Sequence, residues 1–114
     1  MSNEIRKAIE ARMASMTYDE SMALASKIIF SLAEAFGGFS QVEPGIVGLA
    51  LLGQAHNKHI PPLYVARAAA QLLAARWVWE DPEAIYPKIA RAYNEERERL
   101  GWYHTPELPE VQTF

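Results

Sequence analysis

Apolar residues recur along most of this chain at spacings of three and four, the rhythm of amphipathic helices, and the rhythm fails mainly where glycine or proline appears. Ile5, Ala8, Ile9, Met13 and Met16 share one face of a short first helix, with Asn3 as its cap. Thr17, Tyr18, Asp19 and Glu20 then match a capping box, in which the Thr hydroxyl and the Glu carboxylate satisfy each other's free backbone amides. The pattern therefore predicts a break at Thr17 and a second helix behind it. That helix carries Met22, Ala25, Ile28, Ile29, Leu32, Ala33 and Phe36 on one side, with Glu20, Lys27 and Glu34 opposite. It ends at Gly37 and Gly38, and residues 39–43 read as a turn.

A third helix is predicted over residues 45–58, started by Pro44 and apolar on nearly all sides at first, which places it in the interior. Gly45, Gly48 and Gly53 weaken a helix by about 1 kcal/mol each against alanine, so close approach of a neighbouring backbone is the expected compensation. Ile60, Pro61 and Pro62 force extended backbone. A fourth helix follows over 63–79, with Ala66, Ala70 and Ala74 forming a ridge small enough for tight packing. Asp81 and Pro82 open a fifth, which runs to Leu100 and stops at Gly101, with Pro87 expected to kink or restart it. Its inward side is read as Ile85, Ile89, Ala92, Tyr93 and Leu100, and Arg91, Glu95 and Arg99 form an exposed ladder. Period-two strand signals are nearly absent. The expectation is an all-α, compact bundle of about five helices with a buried central helical hairpin, one domain over residues 1–101, and an extended aromatic and Pro-containing C-terminal tail over 102–114.

Length and composition agree with one packed core: 114 residues, half of them apolar, are enough to fold without metals or disulfides. The chain has no cysteine, which removes thiol nucleophiles and thiolate metal sites. There is no secretory-type apolar run at the start, and the longest apolar stretch is about half the ~20 residues that span a bilayer. A cytoplasmic protein is expected.

Charge adds a further pattern. Residues 44–79 contain no Asp or Glu and carry about +3, between flanks of about -2 and -4. Lys58, Arg67 and Arg76 are the cations of this window, and His56, Lys58 and Arg67 lie around the double proline. These three form a candidate site for a small anion or a nucleotide. A helix-turn-helix reading of the window fails on geometry, since Arg67 and Arg76 are nine residues apart and point to opposite sides of a helix. The net charge of -3 also argues against nucleic acid, so a nucleic-acid-binding regulator is only a third reading.

Catalytic chemistry has no visible carrier. His56 and His59 have the spacing of two metal ligands but no acid within a dozen residues, and no metal or cofactor is expected. The Gly48 to Gly53 spacing of a phosphate loop is followed by Gln54 and Ala55 where Lys and Ser or Thr belong, so it is not one. The carboxylates of residues 95–98 are interleaved with arginine, as on a solvated face. A non-enzymatic protein follows.

Aromatic residues give the positive evidence for binding: Trp77, Trp79, Tyr86, Trp102, Tyr103 and Phe114 crowd the last third of the chain. The expectation is a small adaptor or inhibitor of another macromolecule, of the accessory type that bacteria and phages encode, which also self-associates. Its expected partner is a protein, with a basic one suited to the acidic faces, met by Glu20, Glu34, Trp79, Glu95, Glu98, Trp102 and Tyr103. Contact through the acidic faces would weaken with salt.

Overall fold

The structure, a computed structural model, describes residues 3–54, 60–76 and 81–110, with the side chains of residues 10, 12–16 and 76 left aside. Four α-helices and one 3-10 turn account for its regular structure: α1 (Asn3–Phe36), the turn Phe39–Gln41, α2 (Pro44–Leu52), α3 (Pro62–Arg76) and α4 (Pro82–Leu100). Among the described residues there is no strand, and the helices pack into one all-α bundle, as the periodicity predicts.

The main departure lies in α1. The break expected at Thr17 does not form, and the first two predicted helices are one helix of 34 residues. No glycine or proline occurs between Asn3 and Phe36, so nothing obliges the backbone to leave the helix. Thr17 is not a cap; its carbonyl accepts the Ser21 hydroxyl at 2.7 Å, a bond from one helical turn onward. The merger has a large consequence for packing. Ala25, Ile28, Ile29 and Ala33 are buried, whereas every side chain described from Asn3 to Ala11 is exposed, including Ile5 at 54% and Ile9 at 51%. At about 100° per residue the Ile5 and Ile9 face lies on the opposite side of the helix from Ser21, Ala25 and Ile28. Two apolar stripes that would both face the core across a bend point in opposite directions along a straight helix. The molecule's longest dimension, 52 Å, is that of a 34-residue helix rising ~1.5 Å per residue.

Helix α1 ends at the predicted glycine pair, where the Gly38 amide donates to Ala33 O at 2.7 Å. Phe36, expected inside, is exposed at this end. Helix α2 begins with Pro44 in its first turn, as predicted, and ends at Leu52 with Gly53 as its C-cap, short of residue 54, the last one described before the predicted end. It buries Val47, Gly48, Leu51 and Leu52 and leaves Leu49 exposed, so it is covered on one side and not all round. The close backbone approach expected at the glycines occurs at Gly48: a Cβ there would lie 2.5 Å from Ile89 O and 3.0 Å from the Ala92 Cβ. Helix α2 accordingly packs most extensively on α4.

Helix α3 is the most enclosed element. Val65, Ala66, Ala68, Ala69, Ala70 and Leu73 are all buried, and the helix packs on α1, α4 and α2. The alanine ridge thus lets three neighbours approach one helix. Its last residue here is Arg76; the predicted extension to Trp79 lies outside the described residues, as does the end of the third predicted helix.

Helix α4 follows the prediction closely. The Asp81 carboxylate accepts the Ala84 amide at 3.0 Å as an N-cap. At the other end Gly101 adopts φ 71°, and the amides of Gly101 and Trp102 return to Glu98 O and Arg97 O. Pro87 neither ends nor restarts the helix, which is continuous from Pro82 to Leu100. Ile85, Ile89 and Tyr93 face inward, but Leu100, in the final turn, is exposed. In the expected ladder Arg99 turns to Glu96 instead of Glu95, donating to both carboxylate oxygens.

The tail is fixed to its own domain. Residues 102–110 run back along α4, and Leu108 enters the core. Four side chains on one stripe of α4 hold it through backbone groups. Tyr86 Oη donates to Pro109 O at 2.6 Å, and Tyr93 Oη donates to Pro106 O at 2.9 Å. Asn94 makes a reciprocal pair with Leu108, its Nδ2 donating to the carbonyl at 2.6 Å and its Oδ1 accepting the amide at 2.9 Å. Arg97 Nε donates to Thr105 O at 2.5 Å, and its Nη2 reaches Tyr103 O at 3.3 Å. These bonds need no particular side chain on the tail, which is why its composition does not announce them.

Candidate functional site

Helices α1 and α3 pack closely where Ser21 and Ala68 meet their buried side, and open toward solvent beside Tyr18 and Tyr64. The result is a cleft of about 260 Å³ lined by Thr17, Tyr18, Ser21, Tyr64, Arg67, Ala68 and Gln71. Ser21 and Ala68, both small and buried, line its inner part. Tyr18 is 53% exposed and Tyr64 44%, so both tyrosines that line the cleft reach solvent. The Tyr18 hydroxyl donates across the cleft to Gln71 Oε1 at 3.3 Å.

Arg67 brings the charge. Partial burial holds its guanidinium below the usual arginine range, opposed by its electrostatic interaction with Tyr64 and Tyr86. None of the described lining residues is Asp or Glu. Tyr86 is fully buried on the other side of α3, and burial pushes its phenol up to about 12, an effect that Arg67 reduces. Arg67 therefore lines the cleft and also acts electrostatically on Tyr86 of α4.

Arg67 is the one member of the predicted anion-binding trio whose surroundings can be stated. His56 and Lys58, together with His59, lie outside the described residues, as do Trp77, Trp79 and Phe114. The residues that sequence reasoning missed are Tyr18, Tyr64 and Gln71. Tyr64 and Gln71 flank Arg67 at about one helical turn, which is a readable signal; Tyr18, 46 positions earlier than Tyr64, is brought in by packing alone.

The expected partner-binding residues that the structure describes do not form one surface. Glu20 and Glu34 are exposed on α1, and Glu95 and Glu98 are exposed on α4. Helix α3 contacts both α1 and α4, so the two acidic helices flank it. Trp102 is half-buried and packs against the core. Tyr103 is 71% exposed, its ring 5.6 Å from the Arg97 guanidinium carbon.

One face of α1 does gather several of the expected features. Ile5, Ile9, Glu20, Ala23, Lys27, Phe30 and Glu34 are all exposed and fall within a sector of about 80°. Phe30 also meets Phe39 of the 3-10 turn edge to face, with ring centroids 5.1 Å apart. A second groove, between the start of α2 and α4, has a volume of about 440 Å³ and is lined by Glu43, Pro44, Gly45, Lys88, Arg91, Ala92 and Glu95. Its two carboxylates balance its two cations.

Among the described residues no group of three or more His, Asp or Glu is placed to hold a metal ion, and no helix is long and apolar enough to cross a membrane. Compared with known proteins, the chain matches no family model, no curated protein and no solved structure. Its function has to be argued from its own surfaces.

Proposed function

We infer that this is a non-enzymatic helical binding protein, an adaptor or inhibitor that engages another protein through the outward face of α1. The observation that carries the reading is the unburied apolar stripe at the start of α1, where Ile5 and Ile9 are each more than half exposed on a helix that continues into the core. A rigid amphipathic helix whose anchors sit at spacings of three and four is one of the standard ways that proteins enter a partner's groove. The same face carries Glu20 and Glu34 beside Lys27, so the complementary surface is an apolar groove with basic groups toward one end. This retains the acidic contact expected from Glu20 and Glu34 and assigns it to α1 alone. The acids of α4 lie across the bundle and take no part.

The test compares the wild-type protein with an Ile5→Asp, Ile9→Asp variant and a Glu20→Lys, Glu34→Lys variant, as baits for affinity capture with quantitative mass spectrometry. The expected result is a basic protein captured by the wild type, lost with the first variant, and held by the second with weaker, less salt-sensitive binding. An unchanged set of captured proteins with the Ile5 and Ile9 variant overturns the assignment. Sedimentation velocity on the same proteins covers the case of self-association: a wild-type dimer that the first variant converts to monomer makes a second copy the partner.

A further inference from the structure

The tail lies on α4 as a ligand lies on a receptor, through its backbone. Tyr86, Tyr93, Asn94 and Arg97 donate to the carbonyls of Pro109, Pro106, Leu108, Thr105 and Tyr103, while Asn94 Oδ1 accepts the Leu108 amide. A stripe so rich in donors suits a segment that offers carbonyls and has few amides to satisfy. The tail is built that way. Pro106 and Pro109 have no amide, the Thr105 amide closes a turn on Trp102 O, and Glu107 lies on the exposed side, which leaves the Leu108 amide for Asn94. Thr105 and Leu108 are buried, whereas Pro106, Glu107, Pro109 and Glu110 are exposed. An inward period of three is that of polyproline II, an extended helix whose free carbonyls and side chains are recognised in aromatic-lined grooves. Tyr86 and Tyr93 supply the aromatic residues here. We propose that this stripe of α4 is a recognition site for extended Pro-x-Leu-Pro segments of proteins, and that the chain's own Pro106 to Pro109 is its exchangeable resident.

Exchange follows from what the stripe reads. The hydrogen bonds fall on backbone groups, so a segment of the same form from another protein makes the same set. Between Thr105 and Glu110 only Leu108 belongs to the hydrophobic core, so it is the one apolar anchor that a newcomer has to match. Proline at the flanking positions adds affinity by another route, since it removes conformations that an unbound segment would otherwise lose on docking. The resident keeps one advantage. Its attachment to α4 through Gly101 makes it an intramolecular ligand, with an effective concentration on the order of millimolar, and a competing segment is favoured once the resident's own contacts are weakened. The site is apart from the outward face of α1, because α3 packs against both α1 and α4 and stands between them.

The probe is a fluorescein-labelled peptide with the sequence of residues 102–110, titrated with the full chain and followed by fluorescence anisotropy. A chain carrying Leu108→Ala has a loosened resident and should bind the peptide about tenfold more tightly than the wild type. Adding Asn94→Ala to that chain should weaken the peptide about tenfold. In the peptide itself, Leu108→Ala should cost about tenfold, and Pro106→Ala with Pro109→Ala about threefold. Because Leu108→Ala also opens the core, a chain with Pro106→Ala and Pro109→Ala at exposed positions provides a second loosened form, expected to bind the unaltered peptide about threefold more tightly than the wild type. Saturating peptide should raise hydrogen exchange at the Leu108 amide of this second form, which reads displacement of the resident directly. The Ile5→Asp, Ile9→Asp variant should bind the peptide as the wild type does, which separates this site from the partner-binding face of α1. A wild-type dimer that the peptide converts to monomer would make a second copy the donor of the segment in trans. Absence of saturable binding to both loosened chains, equal affinity for the Leu108→Ala peptide, or unchanged exchange at Leu108 under saturating peptide overturns the proposal.

Discussion

The two ends of this molecule reverse what their sequences suggest. The start of α1 is helical and amphipathic, with the composition of a core element, yet Ile5 and Ile9 stand in solvent. The C-terminal tail is broken by Pro106 and Pro109 and has no periodicity, yet Leu108 is buried and four side chains of α4 hold its backbone. Periodicity establishes that residues share a face. Whether that face meets the core depends on its phase relative to the next stretch of helix, and in α1 the two stripes are about half a turn of rotation apart. Anchoring by backbone carbonyls, in contrast, depends on the helix that supplies the donors and leaves little trace in the segment that is held.

Both ends are attached to a body whose tightest point is the crossing of α2 and α4, and the largest effect is expected there. Gly48→Ala places a Cβ against Ile89 O and the Ala92 Cβ and should cost about 3 kcal/mol, read as a lower midpoint in urea unfolding. A smaller loss is expected when the tail is released. Asn94→Ala leaves the buried amide and carbonyl of Leu108 without their partner and should cost about 2 kcal/mol. Hydrogen exchange distinguishes the two: Asn94→Ala should raise exchange at the Leu108 amide far more than in α2, whereas Gly48→Ala should affect the whole bundle. If Leu108 stays protected in Asn94→Ala, the clamp is not what holds the tail.

Alkaline pH acts on the same strap. Burial raises the Tyr86 phenol from its ordinary value of 10.0 to about 12 and raises Tyr93 in the same direction. The folded state therefore favours the neutral phenols. Their contribution is complete below pH ~10, where the unfolded chain's tyrosines begin to ionise, and is lost as pH rises toward the folded value near 12. Tyr86→Phe removes one donor and should cost about 1 kcal/mol at neutral pH. It should also make the fall in stability between pH 10 and about 12 shallower, which urea midpoints measured across that range would show. An equally steep fall in the variant would assign the alkaline loss to other groups.

Much of the fold was legible, and the illegible parts have physical reasons. Gly37, Pro44, Asp81 and Gly101 act by local backbone geometry and Gly48 by the close approach of α4, and each does in the structure what its position predicts. Thr17 and Glu20 misled because a capping box helps only where the chain leaves the helix, and no residue before Gly37 makes it do so. Of the two outcomes expected at Pro87, a kink or a restart, the restart does not occur, since α4 is continuous through it. Of the candidate site, the acid-free window drew attention to Arg67, which lines the α1–α3 cleft. Its neighbours on α3 were within reach of periodicity, but Tyr18 joins it by tertiary packing of distant residues, which spacing along the chain does not encode.

The smallest expected effect on stability is also the sharpest test of the contrast between the ends. Ile5→Asp together with Ile9→Asp changes two large apolar side chains to charges, a substitution that would unfold most domains if the residues were buried. Here both are more than half exposed. The stability should therefore change by less than about 0.5 kcal/mol, with carboxylates near the start of a helix offsetting the slightly poorer helix propensity of Asp. Thermal unfolding followed by circular dichroism reads this directly. A fall in Tm of more than about 4 °C, roughly 1 kcal/mol for a chain of this size, would mean that the arm is packed in solution, either onto its own bundle or onto a second copy. Concentration separates those outcomes, because a Tm that rises with protein concentration in the wild type and not in the variant is the mark of association. An unchanged Tm at every concentration leaves the stripe open, in the state that a partner's groove requires.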